Sequence, residues 1–278
     1  MSIVRILSDS FALLKMHPKL IIPKILVAFF FLPIIILLPI YLINFNVFSP
    51  ELLSQRGSLE LAGLLFQIVA LLLFTLLVYF IDAFMINPMY PVLVKQCCKG
   101  EGINFRKAFV SVIERFGTIF AALVIFSVLL FASMLPFMFV LMAALLLKDD
   151  FLVNVSIVIA AISIIIMLVL FYLLCPVSSL EKGNFAKTIK WTVKTSLKHK
   201  KGVTEAVLFS LFISGLNYLF AFEMVLSNGP NQSAYTILLF ILLIAARFLT
   251  AIFAAYQYVL NAVFYLGFEK GVFFSDKK

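Results

Sequence analysis

Long apolar runs recur along the whole chain, and they constrain its fold more than any other feature of the sequence. Six such runs cover positions 20–45, 61–85, 118–147, 152–175, 203–226 and 235–268. A helix of 18 or more apolar residues is long enough to cross a hydrocarbon core of about 30 Å. Each run therefore predicts one membrane-spanning helix. We expect an all-α integral membrane protein with six transmembrane helices.

The composition favours the same class. Hydrophobic residues make up 64% of the chain and charged residues 13%, whereas a soluble domain has about 45–50% apolar and about 25% charged residues. The first residues carry charges throughout and lack a compact apolar region with a small-residue cleavage site, so no cleavable signal peptide is expected. Residues 1–278 are expected to form a single domain in the cell membrane.

The formal net charge of +9 is distributed in a way that predicts orientation. Most of the 22 Lys and Arg residues lie in short segments on one side of the predicted spans; the exceptions are Arg56, Lys148 and Arg247. Cytoplasmic loops of membrane proteins carry such an excess of basic residues. We therefore expect both termini to be cytoplasmic, and we expect no binding of nucleic acid.

Three basic segments near predicted spans carry apolar residues at helical spacing, which is typical of amphipathic helices lying in the membrane interface. Asn104 is predicted to cap the second of them. The expected apolar stripes are Ile3, Leu7, Phe11 and Leu14; Phe105, Phe109, Val112, Ile113 and Phe116; and Phe185, Ile189, Val193 and Leu197. The basic residues expected to meet water and anionic lipid head groups are Arg106, Lys107, Arg115, Lys187, Lys190, Lys194 and Lys198.

These segments also suggest an internal repeat. Each predicted unit consists of an interfacial helix, one span outward and one span back, and the second, fourth and sixth spans all run into a Lys-Gly step. The predicted units cover 1–103, 104–183 and 184–278. A threefold repeat of this kind would place three interfacial helices on one side of the membrane.

The segments "LLKMHPKLIIPKIL", "NFRKAF" and "NFAKTI" carry a resemblance to a known group. They are similar to uncharacterised prokaryotic six-span proteins related to the membrane domain fused to some glycerophosphodiester phosphodiesterases. The resemblance implies six helices with interfacial elbows. It implies no catalytic residues, because the phosphodiesterase chemistry belongs to a separate soluble barrel that has no counterpart in this sequence.

No catalytic or metal-binding constellation is visible in the sequence. There is no phosphate-binding G-x-x-x-x-G-K-[ST] loop, no H-E-x-x-H and no G-x-S-x-G. The three cysteines form no C-x-x-C pair, and we interpret them as reduced, small apolar residues. We therefore expect no enzyme activity, no cofactor and no metal.

The candidate binding residues are the ionisable groups within the apolar runs, because charges there are costly and need a partner or a cavity. Lys24 lies near a span end and is expected to extend its ammonium to the interface. Arg247 and Glu223 lie deeper, at similar predicted heights in neighbouring spans, and predict an ion pair. Asp82 is the second candidate partner of Arg247. Arg247 could instead receive an anionic ligand.

Two classes of function stay open at this point. The first is binding or translocation of a small or lipid-like ligand, which requires a site lined by polar groups. The second is a non-catalytic scaffold or an accessory subunit of a larger complex, which requires an apolar surface for a membrane protein partner.

Overall fold

A computed structural model describes residues 3–45, 58–226 and 233–271, and within these ranges the chain forms helices and no β-strand. The α-helices in chain order are α1 Ile3–Met16, α2 Ile22–Phe45, α3 Ser58–Ile81, α4 Asn87–Cys98, α5 Phe105–Glu114, α6 Phe116–Leu147, α7 Asp150–Phe171, α8 Leu174–Leu180, α9 Phe185–Lys198, α10 Lys200–Leu226 and α11 Ser233–Lys270. A 3₁₀ turn, Pro18–Ile21, precedes α2, and a π-helical turn, Asp82–Ile86, joins α3 to α4. The all-α prediction is confirmed.

Several of these helices are long and apolar enough to span a membrane. Within the described residues four pass this test, namely Phe66–Cys98, Phe116–Leu147, Asp150–Leu180 and Ile244–Phe268, and the bent pair Ile3–Met16 and Pro18–Ile34 raises the number to five. The chain is therefore a membrane protein with four or five candidate spans. Six spans and the threefold repeat stay predictions; parts of the fifth and sixth apolar runs lie outside the residues whose side chains are described.

The chain bends by 100° between α1 and the helical segment that follows it. The bend lies at His17, whose φ of −127° and ψ of 68° are not helical. The next residue is Pro18, and the ring of a proline clashes with a preceding residue in the α conformation. The sequence "HP" thus turns α1 across the end of α2, and the Tyr256 hydroxyl of α11 donates to the Leu7 carbonyl at 3.1 Å.

Helix α11 lies at the centre of the bundle and packs on α1, α2, α4, α8 and α10. Large, fully buried side chains lie along its second half, on α4, on α1 and just before α8; they include Leu13, Tyr90, Leu173, Phe264 and Tyr265. The α6–α7 hairpin lies at the periphery, and the side chains near its tip are exposed. Among the residues whose side chains are described, the buried core gathers around the second half of α11 and around α4.

The turn at the tip of the α6–α7 hairpin is formed by Lys148 and Asp149. Lys148 ends α6 in the left-handed region with φ 52°, a position where helices often stop. The Asp149 side chain then accepts hydrogen bonds from the backbone N–H groups of Phe151 and Leu152, at 2.9 and 3.3 Å, and caps α7. These bonds give the Asp149 carboxylate a structural role.

The basic segments before α6 and α10 form helices with asparagine caps. The Asn104 side chain accepts a hydrogen bond from the Lys107 N–H at 2.8 Å, and the Asn184 side chain accepts one from the Lys187 N–H at 3.0 Å. The predicted cap at Asn104 is confirmed. Buried Gln96 also accepts a hydrogen bond from the backbone N–H of Asn104 at 2.9 Å, which fixes α5 against the end of α4.

The face of α9 that packs on the bundle differs from the predicted stripe. Phe185 and Leu197 are exposed, and Ile189 and Val193 are half-buried. The buried residues of the helix are Thr188, Thr192, Thr195 and Ser196. Small hydroxyl side chains let helices approach closely, and two of these threonines satisfy their hydroxyls on backbone carbonyls one turn earlier. Apolar periodicity alone could not identify this face.

Two prolines in the central helices each leave a backbone carbonyl without its helical donor, because proline has no N–H. Pro91 leaves the Asn87 carbonyl without a helical donor, and the Cys175 thiol donates to that oxygen at 3.4 Å. Pro176 does the same to the Tyr172 carbonyl, to which the Asn261 side chain donates at 2.5 Å. Neighbouring side chains commonly replace such lost bonds in membrane helices. These two bonds tie α4, α8 and α11 together.

The Asn261 bond should be coupled to Pro176. Asn261→Ala should lower the free energy of unfolding by about 1 kcal/mol, because the Tyr172 carbonyl loses its donor. Pro176→Ala restores an N–H that can bond this carbonyl, so Asn261→Ala should cost less than half as much in that background. Thermal unfolding of the four proteins in detergent measures the coupling.

Gln257→Ala is the matched control. Gln257 also lies on α11 and donates across a helix interface, to the Ser210 carbonyl at 2.7 Å. Gln257→Ala should lower the free energy of unfolding by the same amount with and without Pro176. An Asn261→Ala cost that is equal in both backgrounds would contradict the assignment of Asn261 to the carbonyl left free by proline.

Candidate functional site

A π-helical turn places Asp82 at the junction of α3 and α4. The Asn87 N–H bonds to the Asp82 carbonyl five residues earlier, and Pro88 follows directly, without an N–H to continue the regular pattern. Single π turns of this kind are often found at functional sites. The wider turn presents Asp82 and Asn87 on one side, toward α2 and α11.

Lys24 of α2 binds this turn with its ammonium group. Its Nζ donates to Oδ1 and Oδ2 of Asp82, at 2.7 and 2.8 Å, and to Oδ1 of Asn87 at 2.6 Å. Lys24 is only 5% exposed, and the Asp82 side chain is 20% exposed. The expectation that Lys24 extends to the interface was therefore wrong. An ammonium has three donors and no acceptor, and oxygens of two neighbouring side chains receive them.

An aromatic wall closes the site on the α11 side. The ring of Tyr258 lies under the Lys24 ammonium, 4.5 Å from Nζ to the ring centroid, and it stacks on the ring of fully buried Tyr90 at 5.7 Å. A cation over an aromatic face is attracted by the ring quadrupole, and the attraction is stronger where water is excluded. The wall therefore supports the charged form of Lys24 in an otherwise apolar region.

Arg247 lies on α11, on the N-terminal side of Tyr258, beside a second pair of aromatic rings. Its Cζ is 4.5 Å from the centroid of Phe31, and Phe31 meets Tyr79 edge-on at 4.8 Å. The Asp82 carboxylate is near enough to stabilise the guanidinium electrostatically. Its Nε is buried, and among the described residues it has no hydrogen-bond partner.

The predicted pairing of Arg247 has two different outcomes. The Asp82 carboxylate pairs with Lys24. The geometry therefore does not support the prediction that Asp82 is the direct partner of Arg247. The Glu223 side chain lies outside the described residues, so the Glu223–Arg247 pair stays a prediction. Within the described part of the site two cations, Lys24 and Arg247, face one carboxylate.

The charges of this cluster are suited to binding an anion. The part of the chain that the structure describes contains no group of three or more His, Cys, Asp and Glu residues that could hold a metal ion. The surplus positive charge in apolar surroundings favours an anion, because an unpaired charge in a membrane helix is costly. The geometry therefore offers an anion-binding position at Arg247.

The basic residues predicted at the interface lie away from this site. Six of them are exposed, namely Arg106, Lys107, Lys187, Lys190, Lys194 and Lys198. Arg115 differs, because its Nη1 donates to the Glu181 carbonyl at 2.6 Å, just past the end of α8. On the surface Lys107 forms an ion pair with Glu101 at 3.0 Å, and this hydrogen bond lowers the pKa of the Glu101 carboxyl.

Sequence reasoning identified Asp82 and Arg247 but missed Lys24, Asn87 and Tyr258 as parts of one cluster. Lys24 lies only four residues after the start of the first apolar run; this position suggested a span end and hid the burial of the lysine. The order Asp82, Asn87, Pro88 carried a usable signal, since a proline just after polar residues in a span indicates a helix break that needs partners.

Comparisons of the chain with protein-family models, curated proteins and solved structures give no match. The resemblance to the membrane domains of glycerophosphodiester phosphodiesterases therefore stays a prediction.

Removing one partner of the Lys24–Asp82 pair should destabilise the protein more than removing both charges. Lys24→Gln leaves the partly buried Asp82 carboxylate without its cation; for a fully buried pair such a loss costs about 3–5 kcal/mol, and here it should cost less. Lys24→Gln combined with Asp82→Asn leaves neutral groups that can still bond each other, so the yield of folded protein should recover. Fluorescence-detected size-exclusion chromatography measures that yield.

The Lys107–Glu101 pair supplies the matched control, since it is an exposed pair of the same residue classes. Lys107→Gln, Glu101→Gln and their combination should all leave the folded yield unchanged. If the Lys24 and Asp82 single variants fold as well as the wild type, the pair does not stabilise the bundle. A double variant worse than both singles would contradict the charge argument.

Proposed function

We propose that this protein is a six-span membrane protein that binds, and in the course of its action translocates, a small or lipid-like ligand. The ligand contacts the region where α2, α3 and α11 meet. The observation that carries the proposal is the half-buried Arg247, whose guanidinium lies over Phe31 with its Nε lacking a hydrogen-bond partner among the described residues. Intramembrane ionisable groups of this kind often mark ligand pathways.

The proposal includes the topology. Both termini face the cytoplasm, and α1, α5 and α9 lie in the cytoplasmic interface as the first elements of three repeat units. Exposed apolar residues such as Phe11, Phe109 and Phe185 enter the acyl boundary. The exposed lysines and arginines of α5 and α9 contact anionic head groups, which attract basic residues at the cytoplasmic leaflet.

A second candidate function is that of a scaffold or an accessory subunit. The observation that favours it is the α6–α7 hairpin, which protrudes from the bundle and exposes large apolar side chains such as Phe139, Leu146 and Phe151. Lipid covers such a surface in a protein that works alone. A membrane protein partner would cover it in a complex.

Native mass spectrometry of the detergent-purified protein distinguishes the two functions. The first predicts a co-purified small molecule or lipid, and its occupancy should fall severalfold in Arg247→Gln because the cation that holds it is gone. The second predicts a protein partner and an occupancy that does not depend on Arg247. A stable, empty monomer that acquires no ligand from a lipid extract would contradict the ligand-binding proposal.

Cysteine labelling tests the orientation. Asp150→Cys in the α6–α7 turn should react with an impermeant maleimide added outside intact cells, and Lys190→Cys in α9 should react only after the membrane is opened. Both positions are exposed, so access depends on the side of the membrane. Wild-type protein is the control for Cys97, Cys98 and Cys175. Labelling of Lys190→Cys in intact cells would overturn the proposed orientation.

A further inference from the structure

The surroundings of Arg247 define the kind of ligand more closely than the proposed function does, although this inference rests on that function. One face of the guanidinium is covered by Phe31, a buried ring. Tyr79 lies against Phe31 and is 58% exposed, so it forms a rim between the cation and the surface of the bundle. The cation can therefore be reached from the side of the bundle, past Tyr79.

The approach to this rim is apolar and runs along α3. Leu72, Leu76 and Tyr79 lie on one face of that helix at spacings of four and three residues, and all three are exposed. Side chains with this spacing form a continuous stripe on a helix. An acyl chain lying on this stripe would bring its head group to Tyr79 and Arg247.

The depth of the site limits the size of the head group. Phe31, over which the guanidinium lies, is two turns along α2 from Lys24, which is about 10 Å at 1.5 Å per residue. The sequence between them, "KILVAFFF", is apolar after the lysine. Lys24 itself lies inside the first apolar run, so a bulky phospholipid head group would have to leave the interface by more than that distance. A carboxylate at the end of a single chain is small enough to enter.

The charged residues of the site favour a ligand that carries one negative charge. Lys24 is already neutralised by Asp82 at 2.7 Å, which leaves one cation in the described site. One carboxylate balances it, whereas a doubly charged phosphate monoester would leave an excess negative charge in apolar surroundings. The planar fork of a guanidinium also matches a carboxylate with two parallel hydrogen bonds.

We propose that the region between α2, α3 and α11 binds a long-chain carboxylate, a fatty acid, with its carboxylate on Arg247 and its acyl chain on the Leu72–Leu76–Tyr79 stripe. The ring of Phe31 holds the guanidinium in place for this contact. Lys24, Asp82 and Asn87 lie nearer the predicted cytoplasmic end of the spans than this site and do not touch the ligand.

Binding of radiolabelled palmitate to the purified wild-type protein, in an uncharged detergent at about pH 8, tests this assignment. Palmitate should bind saturably. Unlabelled palmitate should compete at least about tenfold better than hexadecanol of the same chain length, a difference of about 1.4 kcal/mol in binding free energy. It should also compete better than hexadecyl phosphate and phosphatidylglycerol.

Variants of the site separate its parts. Arg247→Gln should lose at least about tenfold in palmitate affinity, and Arg247→Lys should lose less because the positive charge remains. Lys15→Gln, which removes an exposed cation far along the chain in α1, is the matched control and should bind as the wild type does. If Arg247→Gln does not fold, the comparison of palmitate with hexadecanol on the wild type still decides the outcome.

The outcomes distinguish this inference from the proposed function. Equal competition by hexadecanol, or stronger competition by phosphatidylglycerol or hexadecyl phosphate, would overturn the fatty-acid assignment and leave an amphiphile-binding protein. The absence of saturable binding by any of these probes would contradict both. Palmitate binding that appears only in Glu223→Gln would mean that Glu223 neutralises Arg247, and it would also overturn the assignment.

Discussion

The bonds of the Lys24 ammonium are the interaction on which the centre of this bundle depends. In a membrane there is no water to solvate a charge that loses its partner, so every donor must find an acceptor within the protein. Asp82 and Asn87 provide these acceptors at 2.6–2.8 Å. They can do so because the π-helical turn places both side chains on the side facing α2. The ion pair thus fixes where α2 crosses the junction of α3 and α4.

The same requirement explains why the short helices α4 and α8 pack so closely on α11. Prolines at 91 and 176 each free a carbonyl, and Cys175 and Asn261 donate to the carbonyls of Asn87 and Tyr172. Each proline therefore adds a bond between helices in place of one within a helix. Asn87 takes part in both systems, because its side chain accepts from Lys24 while its carbonyl accepts from Cys175. The charged site and the kinked end of the span formed by α3 and α4 are thus linked to α8 through Asn87.

The features that sequence reasoning recovered are local. The cap at Asn104 depends on a few consecutive residues whose backbone preferences are strong. The helical class and several of the spans follow from apolar runs whose lengths match a bilayer. These signals need no knowledge of which helix neighbours which, so one sequence is enough to find them.

The features that it missed depend on neighbours. Lys24 resembles many lysines near span ends that extend to the interface, and only the position of Asp82, 58 residues later, makes it a buried partner. The hydroxyl face of α9 was missed for a related reason. Threonine and serine count as polar in a periodicity analysis, yet they pack well between helices once their hydroxyls bond to their own backbone. Pairing and packing depend on contacts between residues that are distant in the sequence.

The contrast between the two cations of the site follows from their chemistry. An ammonium is a compact charge with three donors, and for Lys24 two side chains and an aromatic ring complete its surroundings. A guanidinium has five donors directed along the edges of a plane, and a ring such as Phe31 stabilises its face without accepting from those edges. The fold therefore surrounds the Lys24 ammonium with partners. Among the residues described, it leaves edges of the Arg247 guanidinium available for hydrogen bonds. An arginine held by its face in apolar surroundings can bind an oxyanion through its edges, and this is the role that we propose for Arg247.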